Sequence, residues 1–374
     1  MRKAAFIYST ELEKIGYPPE HPFNTIRAKK TREIVNSMGL LSGSARSEVA
    51  PVPAERIVLK KFHSARYLHV LRDAGKGHWD AGAFNMGLGT QDCPIFEGLY
   101  DYAVLASGGT LVAAKLILAG TADVAFSPSG GFHHAGPERA SGFCYINDVA
   151  LACMTLAEKG KRVLYLDVDV HHGDGVAYAF YDRSDVMTIS FHENPRLLFP
   201  GTGFENEIGT GEGKGYCVNV PLPAGTYDEA YMKAFEAIAR PLIGAFNPDV
   251  IVFELGADAL AGDPLAHLYL TNNVYADIIK YLLSLDIPIL ATGGGGYNVD
   301  NTVRAWALAW SVLCGAEGGT SPGTGGVGSS GKKRQGGLRD KVLTVGSQQS
   351  DAVTRAIEAT IEAVKANVFC LHSI

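Results

Sequence analysis

Apolar residues fall into two alternating patterns along the chain. Short, mostly apolar runs at 4–8, 124–126, 163–170, 186–191, 217–220, 250–255 and 287–291 have the length of strands buried on both faces. Between them lie longer stretches with apolar residues at helical spacing, at 25–38, 96–120, 145–158, 228–246, 272–283 and 299–313. In 96–120 the buried stripe would be Leu99, Tyr102, Ala103, Ala106, Leu111 and Leu118. Its Ser107-Gly108-Gly109 weakens the helix locally while allowing a neighbour to come close. Another helical region starts at Pro53, where proline suits a first turn, runs to Phe62 and resumes over 64–73. The segments 11–24, 77–94 and 195–215 read as loops, and a loop as long as 77–94 is usually functional. Strands alternating with helices predict an α/β fold, a parallel sheet covered on both faces.

Polar chemistry gathers where the predicted strands end. Residues 127–134, 167–174, 190–192, 256–258 and 293–297 each follow an apolar run. Open α/β sheets place their ligands at those carboxyl ends. The densest group is V-L-Y-L-D-V-D-V-H-H-G-D-G at 163–175. Continued as an extended strand, it would project Asp167, Asp169 and His171 to one side. Two carboxylates and an imidazole so placed repel and desolvate one another unless a cation joins them, and a divalent metal meets that need. Asp174 could alternatively cap a following helix.

Asp258, in E-L-G-A-D-A-L-A-G-D-P, is the candidate third ligand, although an aspartate just past a strand also caps helices. Two aspartates and a histidine suit zinc with one open position, and iron(II) or cobalt(II) tolerate the same set. An open position acidifies bound water. The tandem His133-His134 in S-P-S-G-G-F-H-H-A-G is the candidate base, and Asp167 and Asp174 are free to orient it. Tyr297, in T-G-G-G-G-Y-N, offers an O–H to a developing oxyanion. The same glycine run suggests a phosphate cradle, but it lacks the Lys and Ser/Thr of a P-loop.

Composition changes this picture little. The chain has 374 residues, 47% of them hydrophobic, and a mean hydropathy of +0.06, enough for one large domain or two. A net charge of -6 gives no global pull toward nucleic acid or anionic membrane. The apolar run at the N-terminus is too brief for a secretory signal, and no apolar run is expected to reach the length of a membrane span, the longest candidate, 305–314, being broken by Ser311. The six cysteines form no C-x-x-C pair, which points to a reduced, cytoplasmic protein. Residues 317–338, rich in Gly and Ser and holding Lys332-Lys333-Arg334, read as a flexible segment between a domain at 1–316 and a C-terminal part at 339–374. In that part Val353, Ile357, Ile361, Val364 and Val368 predict a docked helix.

The sequence resembles the histone deacetylase family, specifically its class I-type zinc deacetylases and prokaryotic relatives, including acetoin-utilisation-type proteins. The resemblance runs from about 17 to 315 and rests on H-H-A, G-F-C-Y-I-N-D, D-V-D-V-H-H-G-D-G, F-P-G-T-G, G-A-D-A-L-A-G-D-P and G-G-G-G-Y. It implies the arginase/deacetylase fold, a single domain around a parallel sheet of roughly eight strands. It implies zinc on Asp169, His171 and Asp258, His134 as base and acid, His133 as its electrostatic helper, Asp167 and Asp174 as their partners, and Tyr297 polarising the amide. Phe143, Phe199, Gly142 and Leu265 would line a tunnel for the lysine methylenes, with Asp92 at the rim and Arg27 beneath. Structural potassium is implied at Asp167, Asp169, His171, Ser190 and Phe191, and a second at Phe180, Arg183, Val186 and Tyr216. Expected partners are acylated lysine proteins or peptides and hydroxamate inhibitors. The rival readings are acetylpolyamine deacetylation, a two-metal ureohydrolase and a non-catalytic acyl-lysine reader. Hydrophobic Val168 and Val170 stand where a ureohydrolase wants extra acids.

Overall fold

The computed structural model describes residues 2–316 and 337–374, so the segment expected to be flexible lies, but for its last two residues, outside the described residues. Eight strands form one sheet: β1 (Ala4–Ile7), β2 (Arg46–Val49), β3 (Val124–Ser127), β4 (Val163–Asp167), β5 (Val186–Glu193), β6 (Cys217–Leu222), β7 (Val250–Glu254) and β8 (Ile289–Thr292). They lie in the order β2-β1-β3-β8-β7-β4-β5-β6, and every neighbouring pair is parallel. This is the parallel sheet of roughly eight strands that the resemblance implies. β2 has no counterpart in the sequence reading. Three of the four residues of its R-S-E-V are polar and none is buried, as suits an edge strand, so it carries no apolar run.

Alternation along each central strand divides the core in two. Leu164 and Leu166 of β4 join Phe6, Phe126, Trp306 and Trp310 on one face. Val163 and Tyr165 join Ala5, Ala125, Val252 and Leu290 on the other. The second face is covered by helices Leu99–Leu118 and Asp148–Ala157. Leu99–Leu118 is long and apolar enough to cross a membrane by length and composition, with a mean hydropathy of 1.4, which the sequence count of apolar runs missed. Two thirds of that stretch (67%) is buried inside the protein, as a core helix requires. A Cβ on Gly108 would come within 1.8 Å of the Val52 carbonyl, so glycine lets the 52–54 segment lie against this helix.

The stretch expected as one helix over 228–246 is three helical pieces, Asp228–Ala234, Phe235–Ala239 and Arg240–Phe246, the middle one a π turn. Pro241 lacks the N–H that a regular turn would use, and the wider turn precedes it. The long loop 77–94 contains the short helix Ala81–Asn85, capped by Asp80. Helix Ser347–Val368 lies over the edge strand β6. Its Thr360 hydroxyl donates to the Pro221 carbonyl (3.1 Å), and Val353, Ile357, Ile361, Val364 and Val368 are buried.

Candidate active site

One register level of the sheet is polar from strand to strand. Ser127, Thr292, Glu254, Asp167, Ser190 and Asn219 are successive cross-strand partners; the first four are the last residues of β3, β8, β7 and β4, and Ser190 and Asn219 lie within β5 and β6. All six are buried. The loops leaving this row build the site.

Asp169 and His171 do not lie on an extended strand, because β4 ends at Asp167. Their convergence comes from two successive turns made by aspartate side chains. Asp167 Oδ1 accepts from the Asp169 N–H (3.0 Å), and Asp169 Oδ1 accepts from the His171 N–H (2.9 Å). Asp258, from the loop after β7, accepts from the Val170 N–H with Oδ1 (3.0 Å). The Gly295 N–H donates to Asp169 Oδ2 (2.7 Å). The result is a point at which His171 Nδ1 lies 3.1 Å from Asp169 Oδ1 and 3.0 Å from Asp258 Oδ2.

One ring nitrogen carries at most one hydrogen, so it cannot satisfy two carboxylates, whereas a cation at their midpoint meets all three donors. The three residues fit a divalent metal for that reason, and all are buried. Electrostatics point the same way. Burial, and then Asp169, push the Asp258 carboxyl up to about 7. Burial opposes charge on His171 as well, but Asp169 and Asp258 outweigh it and carry the imidazole up to about 10.

Beside this point stand the two histidines. His134 Nδ1 lies 2.7 Å from Asp174 Oδ1, and His133 Nδ1 lies 3.0 Å from Asp167 Oδ2. Their Nε2 atoms are 3.0 Å apart. Burial, and then the His133 neighbour, lower His134 to about 4. Burial opposes charge on His133 too, but Glu254 and Asp167 raise it well above the usual histidine range. The neighbours are thus held in opposite senses.

The Tyr297 ring lies 6.3 Å from that of His171 and 5.6 Å from that of Phe143. Burial and the Asp258 charge keep its hydroxyl protonated. Its backbone N–H donates to Asp263 Oδ2 (2.7 Å), whose other oxygen accepts from the Leu265 N–H (2.9 Å). Phe199 packs 5.0 Å from His134, and Gly142 is wedged where a Cβ would meet the His134 ring at 2.4 Å and Phe199 at 2.8 Å. Asp92 is exposed, and its carbonyl meets His21, which packs on Phe143. Arg27 is buried without a carboxylate partner among the described residues. It donates to the Gly296 carbonyl (2.8 Å) and lies over the Phe23 and Trp306 rings.

Of the residues implied to hold potassium, Ser190 stands next to Asp167 in the polar row, and its hydroxyl meets His192 Nδ1 at 2.9 Å. Phe191 follows it in β5 as a core side chain. Phe180, Arg183, Val186 and Tyr216 gather where the chain enters β5. The Arg183 N–H donates to the Phe180 carbonyl (3.0 Å) and the Thr188 N–H to that of Tyr216 (2.8 Å).

The sequence reading passed over Glu254, Tyr165 and Asp263. Glu254 ends V-I-V-F as Asp167 ends V-L-Y-L, and that parallel was the available signal. Its ligand atoms, with those of His133 and Asp169, form a second buried group within 4.8 Å.

Residues 21–313 match the family model described as the histone deacetylase domain. The chain belongs to the histone deacetylase family. Among its relatives, "Histone deacetylase 3" of Oryza sativa subsp. japonica is 40% identical over 321 residues, covering 84% of this chain. The chain spans only 62% of that relative's length. "Acetoin utilization protein AcuC" of Bacillus subtilis (strain 168) is 40% identical over 325 residues, 85% of this chain and 84% of the relative. "Histone deacetylase 8" of Xenopus tropicalis is 41% identical over 292 residues, 77% and 78% of the two chains. The solved structure of a histone deacetylase homolog from Aquifex aeolicus superimposes with a TM-score of 0.84 at 31% identity, covering 95% of this chain and all (100%) of the other. A homolog complexed with SAHA gives a TM-score of 0.85 at 31% identity, covering 97% and 100%.

Proposed function

We propose that this chain is a metal-dependent deacetylase that hydrolyses the acetamide, or another acyl amide, on the Nε of lysine in proteins or peptides. The observation that carries the reading is the meeting of Asp169, His171 and Asp258 beside a His134 already paired with Asp174. Zinc, or iron(II) in its stead, would be held by those three residues and would supply a Lewis acid for the amide carbonyl and an acidified water. His134 takes the water's proton on Nε2 while Asp174 fixes its other nitrogen, then returns a proton to the leaving lysine amine. His133, clasped by Asp167, sets the potential next to it. The Tyr297 hydroxyl donates to the oxygen on which charge develops. Phe143, Phe199, Gly142 and Leu265 exclude water along the lysine methylenes, and Asp92 holds the peptide backbone at the rim.

Potassium would bind at Asp167, Asp169, His171, Ser190 and Phe191, and again at Phe180, Arg183, Val186 and Tyr216. Five of the six cysteines are buried and all are free, which supports a reducing, cytoplasmic setting for a catalytic domain at 1–316 with a docked C-terminal helix. The SAHA complex of a homolog supports hydroxamate binding.

The test is a hydrolysis panel on metal-defined protein: acetyl-lysine peptide, longer acyl-lysine peptides, acetylpolyamine and arginine, with a hydroxamate control. Hydroxamate-sensitive turnover of acyl-lysine is expected. A preference for acetylpolyamine would overturn the substrate while keeping the site. Metal bound without any turnover would favour a reader.

A further inference from the structure

Glu254 is wholly buried at the end of β7, directly across from Asp167 in β4. Its carboxyl group is one corner of a closed ring of four side chains. Glu254 Oε2 lies 2.9 Å from Tyr165 Oη, and Tyr165 Oη lies 2.6 Å from Asp167 Oδ2. Asp167 Oδ2 lies 3.0 Å from His133 Nδ1, which lies 3.2 Å from Glu254 Oε1. No member is more than 3% exposed. Tyr165 and Asp167 share a face because they are two residues apart on one strand, and the β4–β7 register brings Glu254 level with them.

Alone, Asp167 would hold His133 by one contact, about which the ring could tilt. With Tyr165 fixing Asp167 and Glu254 touching both Tyr165 and His133, the tilt would break contacts on two sides. Glu254 Oε1 has no other partner among the described residues. It sits at ion-pair distance from His133 Nδ1 but off the line of an aligned hydrogen bond. The opposite edge of the clamped imidazole, Nε2, is the atom that faces His134 Nε2 at 3.0 Å. We propose, on the deacetylase reading above, that Glu254 is a positioning residue. Acting with Tyr165, it locks the Asp167–His133 pair so that His133 presents Nε2 to His134.

The experiment compares Glu254→Leu, Glu254→Gln and Tyr165→Phe in the full chain, reading kcat, KM and bound metal on an acetyl-lysine peptide. Glutamine can remake both contacts, donating to Tyr165 Oη and accepting beside His133, whereas leucine makes neither. Glu254→Leu should lower kcat by about 10- to 100-fold with KM and metal content unchanged, and Glu254→Gln should recover to within about three-fold of the parent. Tyr165→Phe should lower kcat as well, and adding it to Glu254→Leu should cost nothing further, as expected of one ring. An unchanged kcat in Glu254→Leu would overturn the proposal. So would a loss carried by KM or by missing metal, or a Glu254→Gln as impaired as Glu254→Leu. Should Glu254→Leu fail to fold, Tyr165→Phe, which keeps the volume, decides alone, and full activity overturns the ring.

A second readout does not depend on hydrolysis. In ¹⁵N-histidine NMR of the metal-free protein, the His133 Nδ1–H resonance should persist in the parent and Glu254→Gln and be lost to exchange in Glu254→Leu and Tyr165→Phe. Identical spectra would sink the positioning role. An inactive parent with the expected spectra would instead fault the deacetylase reading.

Discussion

Two glycines around the candidate metal site are demanded by the carboxylates beside them. A Cβ on Gly295 would stand 1.9 Å from Asp258 Oδ2, and one on Gly256 would stand 2.0 Å from Asp169 Oδ2. Gly295→Ala should therefore displace Asp258 and lower zinc affinity by about 10-fold or more, read by metal titration, with the fold retained in circular dichroism. Tyr297→Phe removes only the hydroxyl. It should cost about 2 to 4 kcal/mol of transition-state stabilisation, seen in kcat with the metal still bound, and unchanged turnover would strip Tyr297 of its role. His63 shows a residue-scale effect away from the chemistry. It is buried, Nε2 accepts from the Asn147 N–H, and burial lowers it to about 4. Between that value and the unfolded histidine value of 6.5 the unfolded chain binds more protons, so stability is full above pH 6.5 and falls as pH drops through the window. A loss on the order of 2 kcal/mol from this group is expected between pH 7 and pH 5, measured as urea midpoints. His63→Gln should flatten that dependence.

At the scale of elements, the C-terminal helix Ser347–Val368 manages the open edge of the sheet. β6 has a strand on one side only, and the helix sets Val353, Ile357, Ile361, Val364 and Val368 over it. Removing 347–374 should destabilise the protein by on the order of 5 kcal/mol and promote self-association through the bared strand. Calorimetry and size-exclusion chromatography check this, and an unchanged melting temperature with a monomeric profile would refute it. The helix was legible in the sequence because its stripe repeats at helical spacing. β2 was not, since an edge strand needs no apolar run, and the π turn before Pro241 was not, since periodicity over a short stretch does not resolve turn width.

For the molecule as a whole, the candidate metal site ties together loops from two adjacent strands, β4 and β7, with the loop after β8 closing over them. Two buried aspartates and one histidine are poorly reconciled without a cation, so binding free energy becomes folding free energy. Zinc at about 1,000 times its dissociation constant should stabilise the fold by about 4 kcal/mol, and chelation should lower the melting temperature accordingly. A melting temperature indifferent to chelation would place the metal elsewhere.

The sequence by itself determined the fold class and most of the donors. Apolar runs alternating with helical stripes specify a parallel sheet, and acids and histidines just past those runs fall at its carboxyl end whatever the strand order. Tertiary structure decided how the donors meet. Read as an extended strand, Asp167, Asp169 and His171 would share one side by alternation. They converge instead through turns that their own carboxylates make, and Asp258 joins them only because β7 lies beside β4. Glu254 shows the limit most plainly. In the sequence it ends a run of apolar residues, and only the register that sets it opposite Asp167, under His133, gives its carboxylate a place in the site. Strand order and register depend on contacts between residues far apart along the chain, and a local pattern does not contain them.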